Sequence, residues 1–385
     1  MKGFASRINQ VEEYYFSAKL REVQQLISEG KPVINLGIGS PDLPPDPKVR
    51  EALAQTALLE HTHGYQNYQG IPALREAMAK FYSKKYQVTL HPHQEILPLM
   101  GSKEGIFHLS MAFLNPGDQV LVPNPGYPTY QAVTRLLSAE AIPYTLDLTR
   151  KGRPNLEALE DLDLSKVKIM WINYPHMPTG APGSYEILKE LVDFAKKYQI
   201  LLLHDNPYSH ILHSKAYSIL SIPGAKEVAM ELNSLSKTFH LPGWRLGMLC
   251  GSAERIQGVL KVKSNMDSGM FLGLQHGAIA ALSLGDHWFE SQEIHYKRRR
   301  HLVWEMAEQL GLRFDTSASG LFVWAKLPKQ VTSSDLVDRL LYEKNIFITP
   351  GSIFGTEGEG YVRISLCVSE DKLQEAINRI SDFTL

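Results

Sequence analysis

The stretch ILLLHDNPY, residues 200–208, is an almost continuous apolar run that ends abruptly in polar residues. Runs of this kind are typical of strands that are buried on both faces of a parallel sheet. Similar strand patterns occur in DQVLVPN (118–124), KVKIMWINYP (166–175) and EVAMELNSLSK (227–237), and helical patterns lie between them. These repeated strand–helix units predict an α/β fold with a large, mostly parallel sheet flanked by helices.

The last hundred residues show a different pattern, which predicts a smaller α+β unit. SGLFVWAKL (319–327) and YVRISLCV (361–368) are strand patterns separated by a helical pattern, and Ser369 is placed to cap a terminal helix. KPVINLGIG (31–39) also has a strand pattern, and that strand needs a partner. We therefore predict an N-terminal segment (1–45) that is part of the small domain, a large domain (46–285) and a small C-terminal domain (286–385).

Composition limits the class of protein. Lys and Arg number 40 against 41 Asp and Glu, so a net charge of −1 gives no reason to expect a nucleic-acid or membrane partner. The N-terminus lacks the apolar core of a signal peptide, and no run approaches the roughly 18 apolar residues of a membrane span. We expect a cytoplasmic protein in which Cys250 and Cys367 are structural thiols. The basic run YKRRRHLVW (296–304) is predicted to be a solvated helix face.

Polar side chains cluster where the predicted strands end. Ligands of open α/β sheets bind at the carboxyl ends of the strands, so these side chains are expected to meet in one crevice. The pairs are Asn173 with His176, Asp205 with Tyr208, and Ser234 with Lys237.

The stretch SLSKTFHLPGWRLG (234–247) places a lysine close to phosphate-binding residues. The amine of Lys237 can condense with an aldehyde. Ser234 and Arg245 can bind a phosphate through a hydroxyl and a bidentate guanidinium. A second phosphate element is GSKEGIFHL (101–109), where a glycine turn leads through Ser102 and Lys103 into a helix whose first amides face an anion. An aldehyde that carries a phosphate is pyridoxal 5′-phosphate.

Three further residues suit the ring of that cofactor. Asp205 can pair with the protonated pyridine nitrogen, which the ring needs if it is to accept electrons. Tyr208 can donate a hydrogen bond to the phenolic oxygen, and Tyr127 offers a flat face on which the ring can stack.

With these motifs the chain resembles the class I/II aminotransferases, which are fold-type I enzymes dependent on pyridoxal phosphate. The resemblance runs from Asn35 to Ser365 and implies a large domain with a mostly parallel sheet and a smaller α+β domain. The matching stretches are NLGIGSPD, GYQNYQGIPALREA, GSKEGI, PNPGYPTY, NYPHMPTG, HDNPYSHI, SLSKTFHLPGWRLG and YVRIS.

The resemblance implies further roles. Lys237 would carry the cofactor as a Schiff base and, once substrate has displaced it, move the proton between the substrate and cofactor carbons. Tyr65 would reach the phosphate of the neighbouring subunit, because the family builds its sites across a homodimer interface. Arg363 would hold the α-carboxylate of the substrate, helped by the backbone near Gly39.

One position departs from the family pattern. NYPHMPTG has Met177 where the family usually has an asparagine that donates to the phenolic oxygen of the cofactor. A thioether cannot donate a hydrogen bond. We therefore expect the Schiff-base nitrogen to hold its proton more tightly, with a raised pKa.

The expected function is transfer of an α-amino group from an amino acid to a 2-oxo acid, with 2-oxoglutarate as the acceptor, in a ping-pong cycle. KSNMDSGMFLGLQ (263–275), in a stretch that lines the family's interface and pocket, offers apolar side chains and no arginine, which favours a neutral or apolar donor. LL-diaminopimelate, aspartate and alanine aminotransferases remain alternatives, as do a C–S β-lyase and a non-catalytic sensor. The histidines lack a metal-ligand spacing, so we expect no metal.

Overall fold

The computed structural model describes residues 3–213 and 215–385. The strands of the described chain are β1 (Ile34–Asn35), β2 (Ile96–Leu99), β3 (Gln119–Asn124), β4 (Glu140–Asp147), β5 (Arg153–Pro154), β6 (Val167–Asn173), β7 (Leu201–Asp205), β8 (Ala229–Ser234), β9 (Gly247–Cys250), β10 (Arg313–Phe314), β11 (Phe322–Lys326), β12 (Ile346–Phe347), β13 (Thr349–Pro350) and β14 (Tyr361–Ser365).

The helices lie before, between and after these strands. They are α1 (Tyr15–Ser28), α2 (Pro47–Ala57), α3 (Pro72–Tyr86), α4 (Ser102–Phe113), α5 (Pro128–Leu136), α6 (Leu156–Glu160), α7 (Tyr185–Tyr198), α8 (Leu235–Thr238), α9 (Ala253–Lys263), α10 (Leu272–Leu282), α11 (Asp286–Gln309), α12 (Ser333–Lys344) and α13 (Glu370–Arg379). Within the described residues, we find no helix that is both long and apolar enough to cross a membrane.

A large eight-stranded sheet organises the middle of the chain, in the order β2-β9-β8-β7-β6-β3-β4-β5. Its central strands β4, β3, β6, β7 and β8 run parallel, whereas β9 and β5 are antiparallel to their neighbours. Side chains alternate between two apolar layers: Leu202 packs on one face, and Leu201 and Leu203 pack on the other. The predicted α/β sheet, buried on both faces, is confirmed.

A smaller antiparallel sheet, β10-β11-β14-β13, forms a separate core with α1, α11, α12 and α13. The predicted strand near Ile34 does find its partner, because β1 pairs in parallel with β12. Ser369 caps the last helix as predicted, since its Oγ accepts from the amide of Lys372. The α+β character predicted for this part of the chain is thus present.

The basic run in α11 corrects one expectation. Arg299 is not on a solvated face: its guanidinium is buried and donates to both carboxylate oxygens of Asp42, at 2.6 and 2.9 Å. The helix periodicity turns Tyr296, Arg299 and Val303 of the run inward, and an acidic residue far away in the sequence pairs with Arg299. This ion pair joins α11 to the loop after β1.

Candidate active site

A cavity of about 520 Å³ lies where the carboxyl ends of β6, β7 and β8 face the small sheet. Parallel strands end there side by side, so loop residues from distant parts of the sequence meet. Ten of the predicted site residues line the cavity: Gly39, Ser102, Lys103, Tyr127, Asp205, Tyr208, Ser234, Lys237, Arg245 and Arg363.

Lys237 lies in the short helix α8, directly after β8. Its Nζ donates a hydrogen bond to the carbonyl oxygen of Gly39. Burial lowers the pKa of Lys237, because desolvation disfavours the charged ammonium. A lowered pKa increases the neutral fraction of the amine, which is the form that attacks an aldehyde or accepts a proton.

Asp205 ends β7 and is buried. Its Oδ2 accepts a hydrogen bond from the Tyr130 hydroxyl at 2.8 Å, whereas Oδ1 has no partner among the described residues. Burial raises the pKa of Asp205 to about 6, and the Tyr130 bond opposes that rise. A buried carboxylate with a free oxygen is suited to a cationic N–H donor such as a protonated pyridine.

A feature that we call the phosphate cup lies where β2 leads into α4, and it is formed by Gly101, Ser102, Ser234 and Arg245. Gly101 has φ +93°, and a Cβ there would lie 2.2 Å from Nη2 of Arg245. Glycine therefore lets the guanidinium lie directly against the turn that opens the helix. The amide of Ser102 begins α4, and Ser234 caps α8 nearby. Amides at a helix start, a hydroxyl and an arginine together fit a phosphate.

The side chain of Arg363 extends from β14 into apolar surroundings. Its Nη2 donates to the carbonyl oxygen of Gly37 at 2.7 Å, and its Nη1 lies 3.3 Å from Sδ of Met177. The guanidinium carbon is 4.0 Å from the centroid of Phe322. Desolvation by burial lowers the pKa of Arg363 to about 10. With no carboxylate partner in the described chain, this buried cation is suited to bind the carboxylate of a ligand.

The backbone near Arg363 supplies carbonyl acceptors to both cations. The carbonyl oxygen of Gly39 accepts from Lys237, and Gly37 supplies the acceptor for Arg363. Gly39 also packs against Phe322, where an added Cβ would lie 2.2 Å from the ring.

Tyr65 is the predicted residue that the single chain does not bring to the cavity. Its side chain is 93% exposed. His176, at a predicted strand end, is not among the described cavity-lining residues, and its Nδ1 lies 2.8 Å from Oγ1 of Thr179. Asn173 does line the cavity, and its Oδ1 accepts from the Met177 amide at 2.7 Å.

Sequence reasoning missed several residues of the cavity. Tyr130 lies three residues beyond Tyr127 in PNPGYPTY, a stretch already singled out, so it could have been included. Tyr14, Phe16 and Leu20 line the cavity from the N-terminal segment and α1, where no motif marks them.

Comparison with known proteins agrees with this geometry. The fold is that of fold-type I enzymes dependent on pyridoxal phosphate. The Asp205 oxygen that has no partner among the described residues, the lysine amine and the phosphate cup are suited to that cofactor. Residues 31–380 match the model of the aminotransferase class I and II family, and the chain belongs to that family. It is thus an aminotransferase of a family that depends on pyridoxal phosphate.

Full-length relatives are similar throughout the chain. An LL-diaminopimelate aminotransferase of Aquifex aeolicus (strain VF5) is 41% identical over 389 residues and covers 100% of both chains. A solved apo structure of BacF from Bacillus subtilis superposes with a TM-score of 0.95 at 36% identity, covering 100% of this chain and 99% of that one. An aromatic aminotransferase from Pyrococcus horikoshii OT3 superposes with a TM-score of 0.86 at 30% identity, covering 94% and 98%.

Proposed function

We propose that this enzyme transfers the α-amino group of an apolar or aromatic amino acid to 2-oxoglutarate, in a ping-pong cycle and as a homodimer. The observation that carries the choice of donor is the wall of the cavity around Arg363. It is built from aromatic, aliphatic and thioether side chains: Tyr14, Phe16, Leu20, Ile38, Met177 and Phe322. A substrate held at Arg363 by its α-carboxylate would place its side chain against this surface.

The charges of the cavity support the same donor and acceptor. Asp205 is the single acidic residue among the described lining residues, and the cofactor ring would engage it. Of the four cations there, Lys237 would react, Arg245 would hold phosphate and Arg363 would hold an α-carboxylate. Lys103 then remains, with its Nζ 4.3 Å from the ring centroid of Tyr14 and no carboxylate partner in the described chain. We infer that it receives the distal carboxylate of 2-oxoglutarate.

The residues would divide the chemistry between them. When bound, pyridoxal phosphate supplies an aldehyde that reacts with amines and a ring that accepts negative charge from the substrate α-carbon. Asp205 would keep the ring nitrogen protonated, and Tyr208 would hydrogen-bond the phenolic oxygen. Arg363 would orient the amino acid so that its α-proton faces Lys237, whose Nζ accepts that proton as a neutral amine.

The homodimer is supported by the exposed surface that carries Tyr65. Leu58, Leu59 and Met266 are exposed large apolar side chains of the single chain, and the glycine turn of residues 267–269 packs against residue 66. A second copy covering this surface would bury those side chains and bring Tyr65 towards the phosphate cup of its partner.

A second candidate donor is LL-diaminopimelate, favoured by the name of relatives 38–41% identical over nearly the whole chain. Its side chain ends in an ammonium and a carboxylate. Lys103 could serve the carboxylate, but an acidic partner for the ammonium is missing from the described cavity residues. The apolar donor therefore fits this cavity better.

The test is steady-state kinetics of the cofactor-loaded enzyme with 2-oxoglutarate and a donor panel of phenylalanine, tyrosine, methionine, leucine, aspartate and LL-diaminopimelate. We expect the highest kcat/KM for an aromatic or apolar donor and conversion of the cofactor to its amine form. The Lys237→Ala variant should be inactive, and the matched control Lys189→Ala, at an exposed lysine of α7, should be as active as wild type.

Three outcomes would contradict parts of the proposal. A kcat/KM for LL-diaminopimelate far above that of every apolar donor would establish the second candidate. A preference for aspartate would refute the apolar pocket. Release of pyruvate and ammonia without formation of the amine form of the cofactor would indicate a β-lyase.

A further inference from the structure

A partly buried cluster of acidic and basic side chains lies outside the cavity, behind the phosphate cup. Glu104 and His108 are one turn apart on α4, with Glu104 Oε1 3.2 Å from His108 Nε2. The Asp267 carboxylate, in the loop after α9, belongs to the same cluster, whose ligand-type atoms all lie within 4.8 Å of one another. Nζ of Lys263, at the end of α9, is 2.8 and 2.9 Å from the two carboxylate oxygens of Asp267.

His108 is the centre of this cluster. Its side chain is only 1% exposed, and neither ring nitrogen makes a well-directed hydrogen bond to another described residue. Leaving such a group unpaired in the interior is costly unless charged neighbours compensate. The Glu104 carboxylate lies 3.2 Å from Nε2, and an Asp267 oxygen lies within 4.8 Å of a ring nitrogen without a hydrogen bond to it, so the imidazole lies between the two carboxylates.

One end of the cluster reaches the phosphate cup. Oε2 of Glu104 accepts a hydrogen bond from the amide of Met100 at 2.7 Å. Met100 directly precedes Gly101, whose positive φ sets the turn against Arg245. The position of the Glu104 carboxylate therefore fixes the backbone from which the anion-binding amide of Ser102 projects.

The other end of the cluster reaches the exposed segment that carries Tyr65. Oδ1 of Asp267 accepts from the amide of Gly269 at 2.8 Å. Gly269 has φ +82°, and a Cβ there would lie 2.3 Å from the carbonyl oxygen of Gln66. The glycine turn therefore packs directly on the backbone next to Tyr65.

We propose that His108 is a positioning residue: placed between the carboxylates of Glu104 and Asp267, it holds the phosphate cup in register with the segment of residues 65–70, which the proposed function places against the partner's cofactor. The inference rests on the proposed function for that last step. The proposal adds a positioning network to the residues that would touch the phosphate. This network runs from Met100 through Glu104, His108 and Asp267 to Gly269, and it sets where the phosphate-binding residues lie.

Three of these residues could also form a metal site, since Glu104, His108 and Asp267 offer two carboxylates and an imidazole. Lys263 argues against that alternative. Its ammonium contacts both oxygens of Asp267, and its side chain is 2% exposed, so a divalent cation would lie beside a buried positive charge.

The experiment compares equilibrium binding of pyridoxal phosphate and of pyridoxal, which lacks the phosphate, to the full-length apo protein. The variant is His108→Leu, and the matched control is Ser110→Ala, which alters a buried, unpartnered hydroxyl two residues further along the same helix. We expect His108→Leu to weaken binding of pyridoxal phosphate by about tenfold, the size of one hydrogen bond to a charged group, and to leave pyridoxal binding unchanged.

Hydrogen exchange then tests whether the loss of His108 loosens the network at both of its ends, Met100 and the segment of residues 65–70. The amides of Met100, Gln69 and Gly70 are all hydrogen-bonded, and they should exchange faster in His108→Leu than in wild type or Ser110→Ala. His108→Gln, which keeps a side chain able to hydrogen-bond both carboxylates, should restore part of the affinity.

The inference is overturned if binding of both ligands weakens equally or if amides at only one end of the network exchange faster. It is also overturned if the wild type contains one equivalent of metal that His108→Leu lacks. These readouts need no turnover. A wrong donor in the proposed function would leave them unaffected, whereas a wild type that binds no pyridoxal phosphate would refute the proposed function itself.

Discussion

Replacing Asp205 with asparagine should make the apo protein more stable while it impairs catalysis. Burial raises the pKa of Asp205 from 3.8 to about 6. A carboxyl group whose pKa is raised by folding destabilises the protein once pH rises above its unfolded value, because ionisation then opposes folding. At about 1.4 kcal/mol per pKa unit, the penalty at pH 7.5 is about 3 kcal/mol. Asp205→Asn removes the charge and keeps an acceptor for Tyr130.

Urea unfolding of the apo protein at two pH values measures this penalty. At pH 7.5 the free energy of unfolding of Asp205→Asn should exceed that of wild type by up to about 3 kcal/mol, and at pH 4.5, where Asp205 is protonated in the folded state, the gap should shrink to about 1 kcal/mol. Asp161→Asn, at an exposed position, is the control and should show no gap. A variant that is no more stable than wild type at pH 7.5, or a gap independent of pH, would refute the reasoning.

Three further predictions concern the ligand contacts of the cavity. Arg363→Lys, which loses the planar fork, should raise KM for both substrates by about 10- to 100-fold while cofactor affinity stays unchanged in a fluorescence titration. Lys103→Met should raise KM for 2-oxoglutarate by about tenfold and leave KM for the amino donor unchanged; an equal rise in both would exclude a role at the distal carboxylate. Met177→Asn should lower, by about one pKa unit, the protonation midpoint of the visible band of the cofactor-bound enzyme, because the amide adds a donor. A spectrophotometric pH titration that shows an unchanged or higher midpoint would contradict this last prediction.

Local patterns were sufficient for the part of the site that lies at strand ends. Asp205 ends an apolar run typical of a buried strand, and Lys237 follows another, so both could be assigned to one edge of the sheet from the sequence alone. Tyr130 stands in the same stretch as Tyr127 and could have been included, but its hydrogen bond to Asp205 depends on the packing of α5 beside β7. Residue spacing does not encode that packing.

Long-range pairings account for the other misses. Arg299 looked like one more cation of a basic helix face, and its burial depends on Asp42, 257 positions away. The network through His108 also depends on a distant partner. Glu104 and His108 show helical spacing, but Asp267 comes close to them only when α9 packs against α4. A single sequence carries no signal for such partners.

The origin of the two walls of the cavity explains why the reaction was easier to predict than the substrate. The groups suited to the cofactor follow β7, β8 and β2 of the large sheet, where motif and position coincide. The apolar wall comes from the segment around Tyr14 and Phe16 and from Phe322 of β11, and these side chains also belong to the core of the small sheet. Substitutions in that core can reshape the donor pocket while Lys237 and Asp205 stay in place. Relatives with the same cofactor residues can therefore differ in donor, and the donor has to be measured on this chain.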